Sequence, residues 1–434
     1  MTLKRALSFA VALSLSTAVG SPVHAAAPRV HALTGARVVV APGRVLPKAT
    51  VVVRDGLIVA VGADIQAPAD AELWDLTGKT LYAGLIDPWV VRPWPIEKPE
   101  DRPQTASPNP LMRAERSIVD KLRDEKSWAD LRAAGFTTAL VVPGDGVVRG
   151  RGALVNLSDD PHAALLAENL VEAVALRSPR GFEGYPESTM GAVALFRQAV
   201  LDARWQRLAE AAFRANPAQA RPAHDDSLAA FEPAAHGESP LVFETESATE
   251  LARVAKLTRD LSLKAMAVGS GYEYQRLAEV AANPLPLLLP IAFPELPKVG
   301  DKDDLSVSLE DLRHWDQAPS NPAQLAHAKL PFALTTFRQK EPKLFWKALA
   351  QAIERGLAPD TALAALTRVP AELLGLSGRA GTVEAGKMAN LVVVDGDLLV
   401  AEPKIEAVWI DGVRFQAPAD GTPKKDDAKK GVAR

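Results

Sequence analysis

The chain contains no cysteine. That excludes disulfides, thiolate metal ligands, iron–sulfur clusters and a cysteine nucleophile, and leaves only nitrogen and oxygen donors for a metal. Histidine is scarce as well, with seven in 434 residues. Apart from His24 these are His31, His162, His224, His236, His314 and His327, and no two stand at His-x-His or i, i+4 spacing. They read as isolated surface or capping residues. No long basic run is present, and 50 Lys+Arg against 53 Asp+Glu leave a net charge of -3, which excludes nucleic acid as a partner. Gly-x-Ser-x-Gly, Gly-x-x-x-x-Gly-Lys-Ser/Thr and Gly-x-Gly-x-x-Gly are all missing, so neither a nucleophile elbow nor a phosphate loop is announced. Beyond the N-terminus no apolar run approaches the ~20 residues of a spanning helix, and the best rival, Leu285 to Phe293, is broken by Pro286 and Pro290.

What is present is an ordinary globular balance, 47% hydrophobic and 24% charged, enough for a large core. Lys4 and Arg5 precede the apolar stretch Ala6 to Val19 and the small-residue site Val23-His24-Ala25. This is the pattern of a signal peptide over residues 1–25, and it predicts an exported, periplasmic protein with no membrane span after cleavage. At the other end, 416–434 carries mixed charge without apolar periodicity and is expected to be a solvated, disordered tail. Short β-branched runs (Ala36 to Val40, Thr50 to Val53, Leu57 to Val61) fill the stretch 30–80, with an Asp55-Gly56 hairpin signal. The same texture returns over 380–415 in Leu391 to Val394 and Ala407 to Ile410, the latter followed by Asp411-Gly412. The two stretches are expected to form one composite β-sandwich domain from both termini.

Between them, 81–376 alternates short apolar strands with helical segments, which argues for a parallel sheet and, at this length, for an α/β fold of the (β/α)8 TIM-like barrel type. Ala114 to Ala134 reads as one helix. Trp94 to Pro110 and Ala215 to Pro240 read as long loops without core elements.

Leu81-Tyr82-Ala83-Gly84-Leu85-Ile86-Asp87 resembles the strand-one entry of the amidohydrolase superfamily. Gly381 to Leu398 (GTVEAGKMANLVVVDGDL) resembles that superfamily's return into its β domain, and Gly135 to Pro143, Gly150 to Leu157 and Tyr185 to Trp205 are similar to segments of its imidazolonepropionase-like branch. The resemblance implies a site at the C-terminal rim of the barrel. There Zn or another divalent metal is held by a His-x-His pair after strand one, a carboxylated Lys or a Glu on strand four, His after strands five and six, and Asp after strand eight. Such an ion lowers the pKa of bound water and polarises the scissile carbonyl.

Position by position, those ligands are missing. The pair falls on Trp89 and Val91, the strand-eight Asp on Phe337, the strand-five His on Glu244 and the strand-six His on Tyr272, while the run after strand four offers only Arg177 and Arg180. Apolar side chains cannot replace a cation's hydration shell, so no metal and no cofactor are expected. Glu244 and Tyr272 remain as candidate catalytic residues, and Trp89, Phe337 and Arg151 as candidate ligand-binding residues. Glu244, if desolvated among aromatics, is expected to have a raised pKa unless Arg149 or Arg151 lies near. The expected role is non-catalytic: binding a small-molecule ligand, or partnering an intact amidohydrolase homologue or a second copy of itself. The alternative is a hydrolase of C–N bonds other than linear peptide bonds, acting on cyclic amides or dipeptide-like compounds through Glu244 with Tyr272 or through a metal held by other residues.

Overall fold

The β-branched runs near the N-terminus pair across the turns that their sequence announces. The computed structural model describes residues 29–98, 101–122, 128–160, 164–296 and 307–416. The expected signal peptide, the chain after Gln416 and His162 lie outside these residues. β1 (Val30–Ala41), β2 (Arg44–Arg54) and β3 (Leu57–Gly62) form an antiparallel meander, and β1 also pairs in parallel with β4 (Glu72–Asp75) and β5 (Thr80–Ala83).

From the far end of the chain, β14 (Leu391–Asp395) pairs antiparallel with β5, in the register Leu391↔Ala83 to Val394↔Thr80. β15 (Lys404–Ile410) and β16 (Val413–Gln416) extend it into one eight-stranded sheet. Alternation decides which side faces what: Leu391 and Val393 pack with Leu33, Val51 and Leu81 inside the β domain. Val392 and Val394 turn instead to the barrel side, with Phe136 and Phe345. The two hairpin tips, one from each chain end, abut. A Cβ on Gly412 (φ +75°) would lie 3.2 Å from the Gly56 Cα, so glycine is needed both for the turn and for the approach.

The second sheet is an eight-stranded barrel wall: β6 (Leu85–Arg92), β7 (Phe136–Pro143), β8 (Val148–Asn156), β9 (Leu165–Ala175), β10 (Leu241–Glu244), β11 (Ala265–Val268), β12 (Leu287–Pro290) and β13 (Phe332–Thr335), adjacent in that order. Ile86, Leu140, Val142, Leu154, Ala173, Val242, Met266, Val268, Leu288 and Ala333 fill the interior together with Trp89. Outside, helices cover the wall: Phe196 in Thr189–Ala215 and Phe231 in Asp226–Ala235 meet Phe243 of β10, with ring centroids 5.2–5.9 Å apart along the chain of contacts.

The barrel departs from strand–helix alternation at one strand. β8 runs antiparallel to both β7 and β9. The cause is covalent: four residues, Gly144 to Val147, link β7 to β8, whereas a parallel return needs a crossover of a dozen or more. Two further corrections concern the segments around it. Ala215 to Pro240 is not all loop: Asp225 caps the helix Asp226–Ala235, its side chain accepting from Leu228 N at 2.9 Å, and Phe231, Ala234 and Ala235 are buried. Ala114 to Ala134 is not one helix. The described part holds two short helices, Val119–Leu122 and Ala129–Ala133, while Arg113 to Ile118 runs along β8, with Arg113 N donating to Val148 O and Arg151 N to Arg116 O.

Among the described residues β6 and β13 share no backbone ladder, and side chains join this seam instead. Thr335 Oγ1 donates to Asp87 Oδ1 at 2.6 Å and lies 3.1 Å from Trp89 O, while Thr336 reaches Asp87 Oδ2 through Oγ1 at 2.5 Å and through its backbone N at 3.2 Å. Burial raises the pKa of Asp87, and these donors pull it back.

Candidate functional site at the barrel mouth

Glu244 ends β10 two residues after inward-facing Val242, so its carboxylate points into the barrel mouth. It is 6% exposed. Because β8 runs backwards, its first residues lie at the mouth beside the end of β9, with Val148 opposite Val174, and this brings Arg149 over Glu244. Arg149 Nη1 donates to Glu244 Oε2 at 2.7 Å, and Arg177, two residues past β9, pairs through Nη2 with Glu244 Oε1. Arg177 also donates from Nη1 to Glu244 O at 3.2 Å and pairs from Nε with Glu246 at 3.1 Å. Burial pushes the Glu244 pKa up, but the charges of Arg149, Arg177 and Arg338 outweigh it and hold the carboxyl below its ordinary value. The proviso about a nearby cation therefore decides the outcome: Glu244 is an ionised, doubly paired carboxylate.

Arg338, three residues past β13, reaches across the mouth. Its Nη2 donates to Thr245 O at 2.8 Å and its Nη1 to Ser270 O at 3.1 Å, capping carbonyls beyond β10 and β11. It adopts φ 69°, a left-handed conformation that a non-glycine residue holds only where its surroundings enforce it. Below the Gly269-Ser270-Gly271 turn, the fully buried Glu273 accepts from Ser270 N at 2.6 Å, Ser270 Oγ at 2.9 Å and Asn321 Nδ2 at 2.7 Å. Sequence reasoning missed both residues. Arg338 carries no motif, and Glu273 differs from any surface acid only through a partner 48 positions away.

The remaining candidates separate. Trp89 is fully buried in the barrel interior with, among the described residues, no partner for its indole nitrogen, and Val91 and Phe337 pack against the same cluster. Tyr272 instead stacks on His314, ring centroids 3.7 Å apart and planes 10° from parallel. Both Glu244 carboxylate oxygens are held by guanidinium groups, not by the Tyr272 hydroxyl. Arg151 faces the outside of the wall: it opposes Glu172 in register and donates to Glu115 O at 3.1 Å. Burial drives Glu172 well above the ordinary carboxylate range despite Arg151.

Beside the Glu244 ion pairs opens a cavity of about 450 Å³, lined by Asp145, Gly146, Arg149, Arg177, Ser178, Pro179, Arg180 and Glu246. The positions where the resemblance implies metal ligands do not fit a divalent cation. Trp89, Val91 and Phe337 present no lone pairs, Asp87 is engaged by two threonines, and Glu244 already lies between two cations, which would repel a third. Among the described residues no group of three His, Asp or Glu stands in metal-binding proximity.

An Amidohydrolase family (Amidohydro_3) profile matches residues 345–415, the segment that returns into the β domain. Amidohydrolase tasK of Hapsidospora irregularis is 41% identical over 70 residues, 16% of this chain and 7% of that protein. Among solved structures, an amidohydrolase from Thermotoga maritima superposes with a TM-score of 0.70 at 20% identity, covering 89% of this chain and 99% of its own. A Xaa-Pro dipeptidase with bound methionine gives a TM-score of 0.54 at 13% identity, covering 89% and 100%. The chain therefore has the amidohydrolase-superfamily fold, a barrel with a composite β domain, and matches the Amidohydrolase family in sequence over residues 345–415.

Proposed function

We propose that the protein is a non-catalytic member of this fold, a binding protein whose barrel mouth carries an arginine–carboxylate cluster where the resemblance to the amidohydrolase superfamily implies a metal. The observation that supports this most is Glu244. Its two oxygens are committed to Arg149 and Arg177, so it offers neither a free lone-pair face for an ion nor the raised pKa that a general acid at neutral pH requires. Export follows in the same reading from the basic and apolar N-terminus. It is compatible with the finding that, among the described residues, no helix is long and apolar enough to cross a membrane.

The alternative, hydrolysis of C–N bonds in cyclic amides or dipeptide-like compounds, requires either an essential Glu244 or a bound metal. The purified protein is to be assayed against hydantoin-like and dipeptide panels beside Glu244→Gln, which keeps the shape and removes the charge. No turnover in either protein is the expected result. Turnover by the wild type would refute the proposal, and its loss in a folded Glu244→Gln protein would assign the activity to Glu244.

A further inference from the structure

The cavity beside Glu244 has features that its ion pairs leave unused. Arg149, nine-tenths buried with 9% of its side chain exposed, lines the cavity while its Nη1 is engaged by Glu244. Arg180 is exposed at the same wall, and among the described residues neither its guanidinium nor the half-buried Asp145 carboxylate has a partner. Asp145 holds φ 56° in the tight β7–β8 connection, a left-handed conformation that fixes it at the cavity edge.

The chemistry of a fitting ligand can be read from the lining. Arg149, Arg177 and Arg180 supply guanidinium forks, the geometry that matches a planar carboxylate. Glu244 shows that a carboxylate fits between two of them. Asp145 and Glu246 on the same wall accept hydrogen bonds and disfavour a second negative charge. A volume of about 450 Å³ holds a small molecule rather than a polymer. We infer that this cavity binds a small organic monocarboxylate that also carries a hydrogen-bond donor, a hydroxy or amino acid, with its carboxylate on the Arg149–Arg177–Arg180 face and its donor towards Asp145 and Glu246. The inference rests on the binding-protein reading and names its ligand. Glu244 then acts as an internal competitor that occupies two of the three forks when the cavity is empty.

Isothermal titration of the full chain with lactate and with glycine, and with inorganic phosphate as a separate arm, tests this. Saturable one-to-one binding of lactate or glycine is expected, with phosphate at least about tenfold weaker, because its second charge meets Asp145, Glu246 and Glu244. Arg180→Ala, a substitution at an exposed residue that leaves the fold intact, should weaken binding by about tenfold, the scale of one charge-assisted hydrogen bond. Glu244→Gln should tighten it by a similar factor by freeing Arg149 and Arg177. No saturable heat from lactate or glycine, binding unaffected by Arg180→Ala, or phosphate binding as tightly as the monocarboxylates would each overturn the inference. None of these readings involves turnover or metal, so they fail separately from the proposal of a non-catalytic role.

Discussion

Replacing Glu244 by Gln tests how much of the mouth is held by charge. Breaking a buried ion pair from one side costs about 3–5 kcal/mol, because the surviving charge is left desolvated. Two features of this site lower that figure. Gln keeps the volume and one acceptor oxygen, and Arg177 is 24% exposed and retains Glu246 at 3.1 Å. Only Arg149, 9% exposed and, among the described residues, without another ion-pair partner, is stranded. The expected destabilisation is therefore ~2–3 kcal/mol. Urea unfolding at pH 7 should show a lower midpoint with unchanged m. Adding Arg149→Met should recover at least ~1 kcal/mol relative to the sum of the single variants, since no charge is then stranded. A loss below ~0.5 kcal/mol for Glu244→Gln, the range of ordinary surface substitutions, would refute the reasoning.

The pH dependence should carry the same signature. The Glu244 carboxyl is held below its ordinary value of 4.5, so its contribution is complete above about that pH and is lost as the pH falls through the depressed folded-state value. Glu172 and Asp87, both raised, act in the opposite sense, so the quantity to follow is the wild-type minus Glu244→Gln difference, which should shrink on acidification. A difference constant down to pH 3 would contradict the pairing. At the barrel seam, Thr335→Val removes the donor 2.6 Å from Asp87 Oδ1 and should cost ~1–2 kcal/mol and speed amide exchange in β6 and β13; unchanged exchange there would mean that the seam is held otherwise. Gly152→Ala would set a Cβ 2.7 Å from Val142 Cγ1 and 3.0 Å from Val141 O inside the barrel, and should destabilise by ~1–3 kcal/mol in thermal unfolding. Wild-type stability there would show the wall to be softer than its packing implies.

The β domain was legible because its signals are local. Asp55-Gly56 and Asp411-Gly412 announce hairpins, and continuous apolar, β-branched runs such as Leu391 to Val394 mark strands buried on both faces. The reversed strand was also written in the chain, in Pro143-Gly144-Asp145-Gly146, but the expectation of a regular barrel overrode a link too short for a crossover. The helix Asp226–Ala235 was hidden by its shortness and by Pro233, because a ten-residue helix shows too few turns for its buried Phe231, Ala234 and Ala235 to read as a stripe. At the mouth, Glu244 stood out as a carboxylate at a strand end, whereas its partners come from β8, from the β9 exit and from beyond β13. Proximity over 67 and 95 positions follows from strand order and from the direction of β8, which no local pattern encodes.

We propose that charge pairing and apolar packing stand where the resemblance implies a metal site, and the metal content of the purified protein is the direct test. The protein is to be dialysed against Zn or Mn and measured by inductively coupled plasma mass spectrometry, beside a variant carrying Trp89→His, Val91→His and Phe337→Asp. The wild type should hold no stoichiometric ion, because Trp89, Val91 and Phe337 offer no ligands and the Glu244 carboxylate is neutralised by Arg149 and Arg177. One tightly held ion per wild-type chain, lost on Glu244→Gln, would contradict the account.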